Sequence, residues 1–349
     1  MLPDALSLDS IYVFVFGPGF GECTAVHIPS FGWIVVDSCR IEAKCAASHL
    51  LEKYGGKCEC LILTHLHKDH YDGFADLADV NDWRLIGCND PNVGDDFGVA
   101  RSPQARTRVE LDQAIATIRK KWIGDTSKEW RTWRGKDQMV GSATIRILHP
   151  PEPSLDQRSN PNRNQTSCPI LIDWCGVRVL LAADLQNPHW EEIAAAFPNP
   201  SIGEHVLLKV PHHGSRNALS DAWMNGSRDR NWVVTPWTNG GRKLPQFADG
   251  GPIAEMLTRV DRLYVTSLPT RVSQAGEIPH EVERQDVANH LHSNRGNFAL
   301  SSHVRGRPLL KYDELNSFVA FEIQNTGESQ MIACGAGSLA LVENLGACV

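Results

Sequence analysis

The sequence predicts an α/β protein, built as one large domain with an appendage or as two domains. Three observations carry this. β-rich runs alternate with stretches of helical spacing along the 349 residues. Glycine-bearing turns separate the first of those runs. Metal-type ligands follow directly on predicted strands at three places: "THLHKDHYDG" at 64–73, Asp184 closing "VRVLLAAD", and His212-His213 in "PHHGS".

The elements follow in order. "IYVFVFG", "CTAVHI" and "WIVVDS" are strands, divided by the turns "GPGFG" and "PSFG". The first turn has the glycines of a nucleotide-binding loop but leads into another strand, so the dinucleotide fingerprint fails on context. Helical spacing over "IEAKCAASHLLEKY" precedes the strand "CLILT" and the ligand motif. The helix "DGFADLADV", the strand "RLIG" and the helical stretch "RVELDQAIATIRKKW" come next. Residues 149–166 are rich in Pro, Asn and Ser and read as a loop. The strands "CPILIDW" and "VRVLLAAD", the helix "PHWEEIAAAF" and the strand "HVLLKV" lead to "PHHGS". An alternating pattern continues through "DAWMNGS", "WVVTPW", "PIAEMLTRV" and "RLYVTSL". The last seventy or so residues hold a helical stretch, "EVERQDVANHLH", and the strand-like "SFVAFEIQN" and "QMIACGA". They read as an appendage or as an extension of the main sheet.

Composition narrows the function. With 42% hydrophobic and 21% charged residues the chain is an ordinary globular one. No apolar run approaches a membrane span, and "MLPDALSLDS" has neither the basic region nor the apolar core of a secretion signal. The ten cysteines lack regular spacing, and Cys168, Cys175 and Cys334 sit in apolar runs. Reduced, buried thiols in a cytoplasmic protein are therefore expected, and Cys58-x-Cys60 is read as structural. The net charge of −7 argues against a uniformly basic nucleic-acid wrapper. From Arg101 to Lys136, however, ten Lys/Arg stand against four Asp/Glu, with Trp130 and Trp133 among them. That segment is either a solvated helix or a surface for a polyanion.

The ligand cluster has a definite chemistry. Alternate side chains of an extended segment face one way, so His65 and His67 can share a point. Asp69 and His70 then face a second point beside it. Two neutral imidazoles suit zinc, iron or manganese, and an aspartate with a histidine suits a second ion. Asp184 is placed to bridge them, and His212 or His213 to supply a further nitrogen. Groups at the ends of three strands converge at one sheet edge. His290-x-His292 and His303 lie on a helical pattern where residues two apart diverge, and read as structural.

"THLHKDHYDG" resembles the signature of the metallo-β-lactamase fold hydrolases. "NQTSCPILIDWCGVRVLLAADLQ" and "VLLKVPHHGS" are similar to one branch of them, the hydrolase domain of competence-type DNA-uptake channel proteins and its soluble relatives. The likeness spans roughly residues 10 to 270. It implies an αββα four-layer sandwich over 1–275, with 276–349 as the C-terminal extension, and a metal site at the sandwich edge. It also implies Asp37 as a structural site residue and hydrolysis of phosphodiesters, with nucleic acid or a nucleotide as substrate. Two positions depart from the pattern. The separate histidine that many members carry before the bridging aspartate is left to His149, Asn164 or Ser167. Where the branch often has Gly-His-Pro, this chain reads "GGRKLPQ", with Lys243 as a candidate phosphate contact.

A pair of divalent ions, zinc or manganese, would activate a shared water. Asp69 then serves as ligand and orienter, and whichever of His212 and His213 is not a ligand protonates the leaving oxygen. Lys209 and Arg216 are candidate phosphate contacts or solvated residues. Thioester, lactone or lactam hydrolysis on the same centre is the second reading. A metal-stabilised module that binds a protein partner is the third.

Overall fold

The computed structural model describes residues 2–41, 43–79, 81–88, 109–110, 112–114, 116–117, 120, 137–149, 163–197, 202–239, 242–246, 251–267, 298–300, 317–334 and 339–343. Among them the chain builds two large mixed sheets. The first runs edge to edge as Ser329–Cys334, Phe318–Gln324, Ser10–Phe16, Cys23–Ile28, Gly32–Val36, Cys58–Leu63 and Trp83–Cys88. The second runs Phe298–Leu300, Leu339–Glu343, Arg262–Val265, Asn231–Val234, Leu207–Lys209, Val177–Leu181, Ile170–Trp174, Ala143–Ile147 and Gln138–Val140.

Strand alternation sorts the apolar side chains into layers. Ile11, Val13 and Val15 point to the second sheet and share one buried cluster with Ile34, Ile62, Ile145, Ile172 and Val179. Their neighbours Tyr12, Phe14 and Phe16 point the other way, packing with Leu50 of the helix Ala46–Tyr54 and Phe74 of the helix Phe74–Asp79. On the far face of the second sheet, Leu180, Leu208 and Leu263 pack with Trp190, Trp223 and Met256. Those three side chains belong to the helices His189–Ala196, Asp221–Met224 and Pro252–Leu257. Helix, sheet, sheet and helix thus form the four-layer αββα sandwich that the sequence resemblance implied. No helix among the described residues is long and apolar enough to cross a membrane.

Local outcomes refine the sequence reading. The helix expected from residue 41 begins at Ala46, because Arg40–Ile41 and Lys44–Cys45 pair as two short strands first. "GPGFG" is a turn into the strand Cys23–Ile28, as its context required. Cys175 is exposed rather than buried, a correction. It sits with Gly176 at the tip of a hairpin, both at positive φ, where the apolar run ends and the chain reverses. In the basic stretch, the described positions between 109 and 120 are helical, with Ala114 and Thr117 turned inward. The hairpin Gln138–Val140 with Ala143–Ile147 carried too few residues to be picked out from sequence. Phe318–Gln324 pairs with Ser10–Phe16, and Leu339–Glu343 pairs with Arg262–Val265, so the described C-terminal strands extend both sheets.

Candidate metal centre

Parallel pairing gathers the ligand-bearing segments. Gly32–Val36 runs parallel to Cys58–Leu63, so Asp37 and His65 emerge side by side. Val177–Leu181, Leu207–Lys209 and Asn231–Val234 are likewise parallel neighbours, and bring Asp184, His213 and Thr235 to the same edge. The carboxyl ends of both sheets therefore meet across the sandwich, where open α/β sheets ordinarily hold ligands.

Each histidine is oriented by what holds its other nitrogen. Asp37 accepts from the Thr64 backbone N–H at 2.7 Å and the Thr64 hydroxyl at 2.8 Å. It also takes the His70 Nδ1 hydrogen at 2.8 Å, which turns His70 Nε2 inward. That Nε2 lies 3.4 Å from Asp184 Oδ2 and 3.9 Å from Asp69 Oδ2. His213 repeats the pattern: Nδ1 donates to the Thr235 carbonyl at 2.9 Å, while Nε2 lies 3.2 Å from Asp69 and 3.5 Å from Asp184. His65 Nε2 is 3.9 Å from Asp184 Oδ2 and 3.0 Å from His67 Nδ1. The chain accepts left-handed backbone at Ala183, His212 and His213 to reach this arrangement, a conformation costly for residues other than glycine.

The result is two adjoining donor groups that share Asp184. His65, His67 and Asp184 form one, and Glu22, His70, Asp184 and His213 the other, with donor atoms inside 4.8 Å in each. Asp69 stands beside the second. These residues fit divalent ions: nitrogen and carboxylate donors converge, and His70 Nε2 and Asp184 Oδ1 are buried with no hydrogen-bond partner. The charge balance says the same. Burial disfavours the charged His70 ring, yet Asp184, Asp37 and Glu22 raise its pKa well above the ordinary value. Burial likewise opposes charge on His213, but Asp184 and Asp69 push its pKa up to about 10. Asp69, despite burial, is pulled down to about 2 by His70 and His213. His65 falls the other way, its pKa held well below the ordinary value by burial and by His70 and His67. The buried carboxylates thus favour positive charge at His70 and His213, a demand that a divalent cation meets as well.

The remaining candidates lie around this core. His212 is set apart from both donor groups: Ser215 Oγ lies 2.6 Å and Gln186 Nε2 2.9 Å from its Nδ1, and Asn164 Nδ2 lies 3.0 Å from its Nε2. Ser167 is buried, its backbone N–H bonded to the Asn164 carbonyl at 3.2 Å. Lys209, read from sequence as a phosphate contact or a solvated residue, is only 2% exposed, with its ammonium on Glu22 at 2.5 Å. Arg216 is exposed and lies 3.8 Å from Glu255. Lys243 is on the short strand Arg242–Leu244, and its side chain lies outside the described residues. His290, His292 and His303 lie outside them as well. His149 joins neither donor group; it gathers with His189 and Glu192.

Two contributors escaped the sequence reading. Glu22 accepts from the Thr235 hydroxyl at 2.6 Å and lies 3.6 Å from His70 Nδ1. Its signal was positional: it opens Cys23–Ile28, antiparallel to the strand that Asp37 closes, and so starts at the edge where that strand ends. Trp237 stacks on the His213 ring, 6.2 Å between centroids, from the hairpin that also carries Lys243.

No family model and no curated protein matches the chain. Among solved structures it is similar to a mutant of the CmlA beta-hydroxylase, at 14% identity and a TM-score of 0.40, over 83% of this chain and 52% of that one. It therefore spans about half the length of that protein. It is also similar to the metallo-beta-lactamase fold protein YhfI from Bacillus subtilis, at 14% identity and a TM-score of 0.39, over 72% of this chain and 94% of that one.

Proposed function

We propose that the chain is a metal-dependent phosphodiesterase or nuclease, acting on nucleic acid or a nucleotide in the cytoplasm. The observation that carries the reading is Asp184 shared between two donor groups. A paired-ion site suits in-line displacement at phosphorus, because it can stabilise the entering and leaving oxygens together. His65, His67 and Asp184 would hold one ion; Asp69, His70, Asp184 and His213, with Glu22 beside them, would hold the other. Zinc or manganese, when bound, supplies a water of lowered pKa and stabilises charge on the phosphoryl oxygens.

The chain's own groups do the rest. Asp69, 3.2 Å from His213 Nε2, is positioned to orient the attacking water. His212 stands outside both donor groups, and burial holds its pKa below the ordinary imidazole value; we assign it to the leaving oxygen, to which it would pass a ring N–H hydrogen. Asp37 and the Thr235 carbonyl keep His70 and His213 in the tautomer that presents Nε2.

The test is a metal-stripped preparation reloaded with manganese or zinc and offered DNA, RNA, small phosphodiesters and acyl esters. Phosphodiester cleavage that needs added metal is expected. Asp69→Ala should lower its rate by roughly 10²-fold or more while leaving the thermal midpoint within a few degrees. Cleavage of acyl substrates alone would replace this reading with the thioester or lactone one. No turnover by fully loaded protein would leave a partner-binding module.

A further inference from the structure

We propose that His149, His189 and Glu192 form a separate site for a single divalent transition-metal ion of the zinc class. One donor atom from each lies within 4.8 Å of the other two. The cluster shares no residue with the donor groups around Asp184. His149 closes the strand Ala143–Ile147 by way of Leu148 and is 3% exposed. His189 opens the helix His189–Ala196, and Glu192 lies one turn on, on the same face.

The bland account is a surface pair: His189 Nδ1 and Glu192 lie 2.9 Å apart at i,i+3, a contact of small worth by itself. That account does not include the buried His149, which lies in the same donor cluster. Its ring centroid is 4.8 Å from that of His189, close enough for one nitrogen of each ring to reach a shared ion. His149 is also prepared as a ligand. Its Nδ1 lies 3.2 Å from the Ser167 carbonyl, which only accepts, so Nδ1 carries the hydrogen and Nε2 the lone pair. A tetrahedral ion with bonds of about 2.1 Å needs its donors roughly 3.4 Å apart. Glu192, with its side chain 59% exposed, has room to adjust its 2.9 Å approach to His189 to that spacing. Two imidazoles and one carboxylate leave a fourth position for water.

The site also has a consequence for the main centre. Ser167, which holds His149, is bonded to Asn164, and Gln186 lies three residues before His189; Asn164 and Gln186 both touch His212. An ion here would tie together the two segments that flank His212 and stiffen that wall.

The inference is independent of the proposed activity and is tested by counting ions. The full-length protein is stripped, equilibrated with zinc, freed of excess, and measured by native mass spectrometry beside His189→Gln and Glu192→Gln. Loss of one ion per chain in His189→Gln, with the other ions and the fold retained, is expected. Glu192→Gln should weaken binding of that ion by at least about tenfold. In a second arm His65, His67, His70 and His213 are replaced by Ala and Asp184 by Asn, which removes donors of both groups around Asp184; one zinc should remain, and should vanish when His189→Gln is added. Equal ion counts in the parent and His189→Gln overturn the proposal. That result would leave the Asp184 centre untouched, whereas loss of activity with an unchanged His189-dependent ion would bear on the centre alone.

Discussion

His70 and His213 are oriented by one device used from two short helical turns, Lys68–Tyr71 and Pro211–Gly214: an oxygen takes the Nδ1 hydrogen and Nε2 turns to the carboxylates. His205 shows the same tautomer put to a structural use. Its Nδ1 donates to the Ile202 carbonyl at 2.9 Å, and its Nε2 accepts from the Trp232 indole at 3.0 Å. Burial, then the nearby Arg230 guanidinium, lower its pKa from about 6.5 to about 3. The folded state therefore binds fewer protons than the unfolded chain between those values. The stabilisation is complete above pH 6.5 and is lost as pH falls, by about 2 kcal/mol at pH 5. Urea unfolding at pH 7 and pH 5 should show this loss, and His205→Gln should shrink the difference by a similar amount. Identical pH slopes in parent and variant would refute the assignment. Histidine identity alone told little at this scale: His65 and His205 are both buried, and only their neighbours separate a ligand candidate from a core residue.

At the scale of elements, the glycine-rich turn shows context overriding motif. A Cβ on Gly17 would stand 2.4 Å from Thr266 Oγ1 and 2.8 Å from Thr235 Cβ, so glycine is needed where the first sheet's turn meets the second sheet's strand ends. Thr266 Oγ1 also donates to the Gly17 carbonyl at 2.8 Å. Since Thr235 holds both Glu22 and His213, crowding there reaches the metal centre. Gly17→Ala should destabilise the protein by about 1–3 kcal/mol and weaken zinc retention. A change in stability under about 0.5 kcal/mol, with zinc binding intact, would show that the approach is slack. The strands Ser10–Phe16 and Cys58–Leu63 were legible because their β-rich runs are long. The start of the helix at Ala46 was not, because the short pairing of Arg40–Ile41 with Lys44–Cys45 leaves no mark in helical spacing.

For the whole molecule, the question is how a polyanion reaches the edge. Of the basic segment from Arg101 to Lys136, most positions, including Trp130 and Trp133, lie outside the described residues. Its described start lies next to the ligand motif: Glu110 is 3.7 Å from the Lys68 ammonium, and Ala114 packs into the same cluster as Leu66 and Tyr71. Steering of nucleic acid by this segment would make affinity fall steeply with salt, because each phosphate contact releases counterions. Neutralising Arg119, Lys120, Lys121, Arg131 and Arg134 together should flatten that dependence by several units of log–log slope. Salt titrations of long DNA and RNA binding decide the matter. Unchanged slopes would point to a small phosphodiester substrate, with no consequence for the metal centre.

The sequence by itself determined the longer strands, their order along the chain, and the donor types that close them. Apolar alternation and residue chemistry are local properties, and they survive without knowledge of partners. Only the tertiary structure decided who meets whom. Parallel pairing of Val177–Leu181 with Leu207–Lys209 set His213 beside Asp184, and left-handed turns at His212 and His213 sent the two rings to different neighbours. The sandwich brought Glu22 against Lys209, 187 residues away, and drew His149 to His189 instead of to the main centre. Such contacts depend on how strands pair within a sheet and how the two sheets meet face to face, which no window of sequence contains.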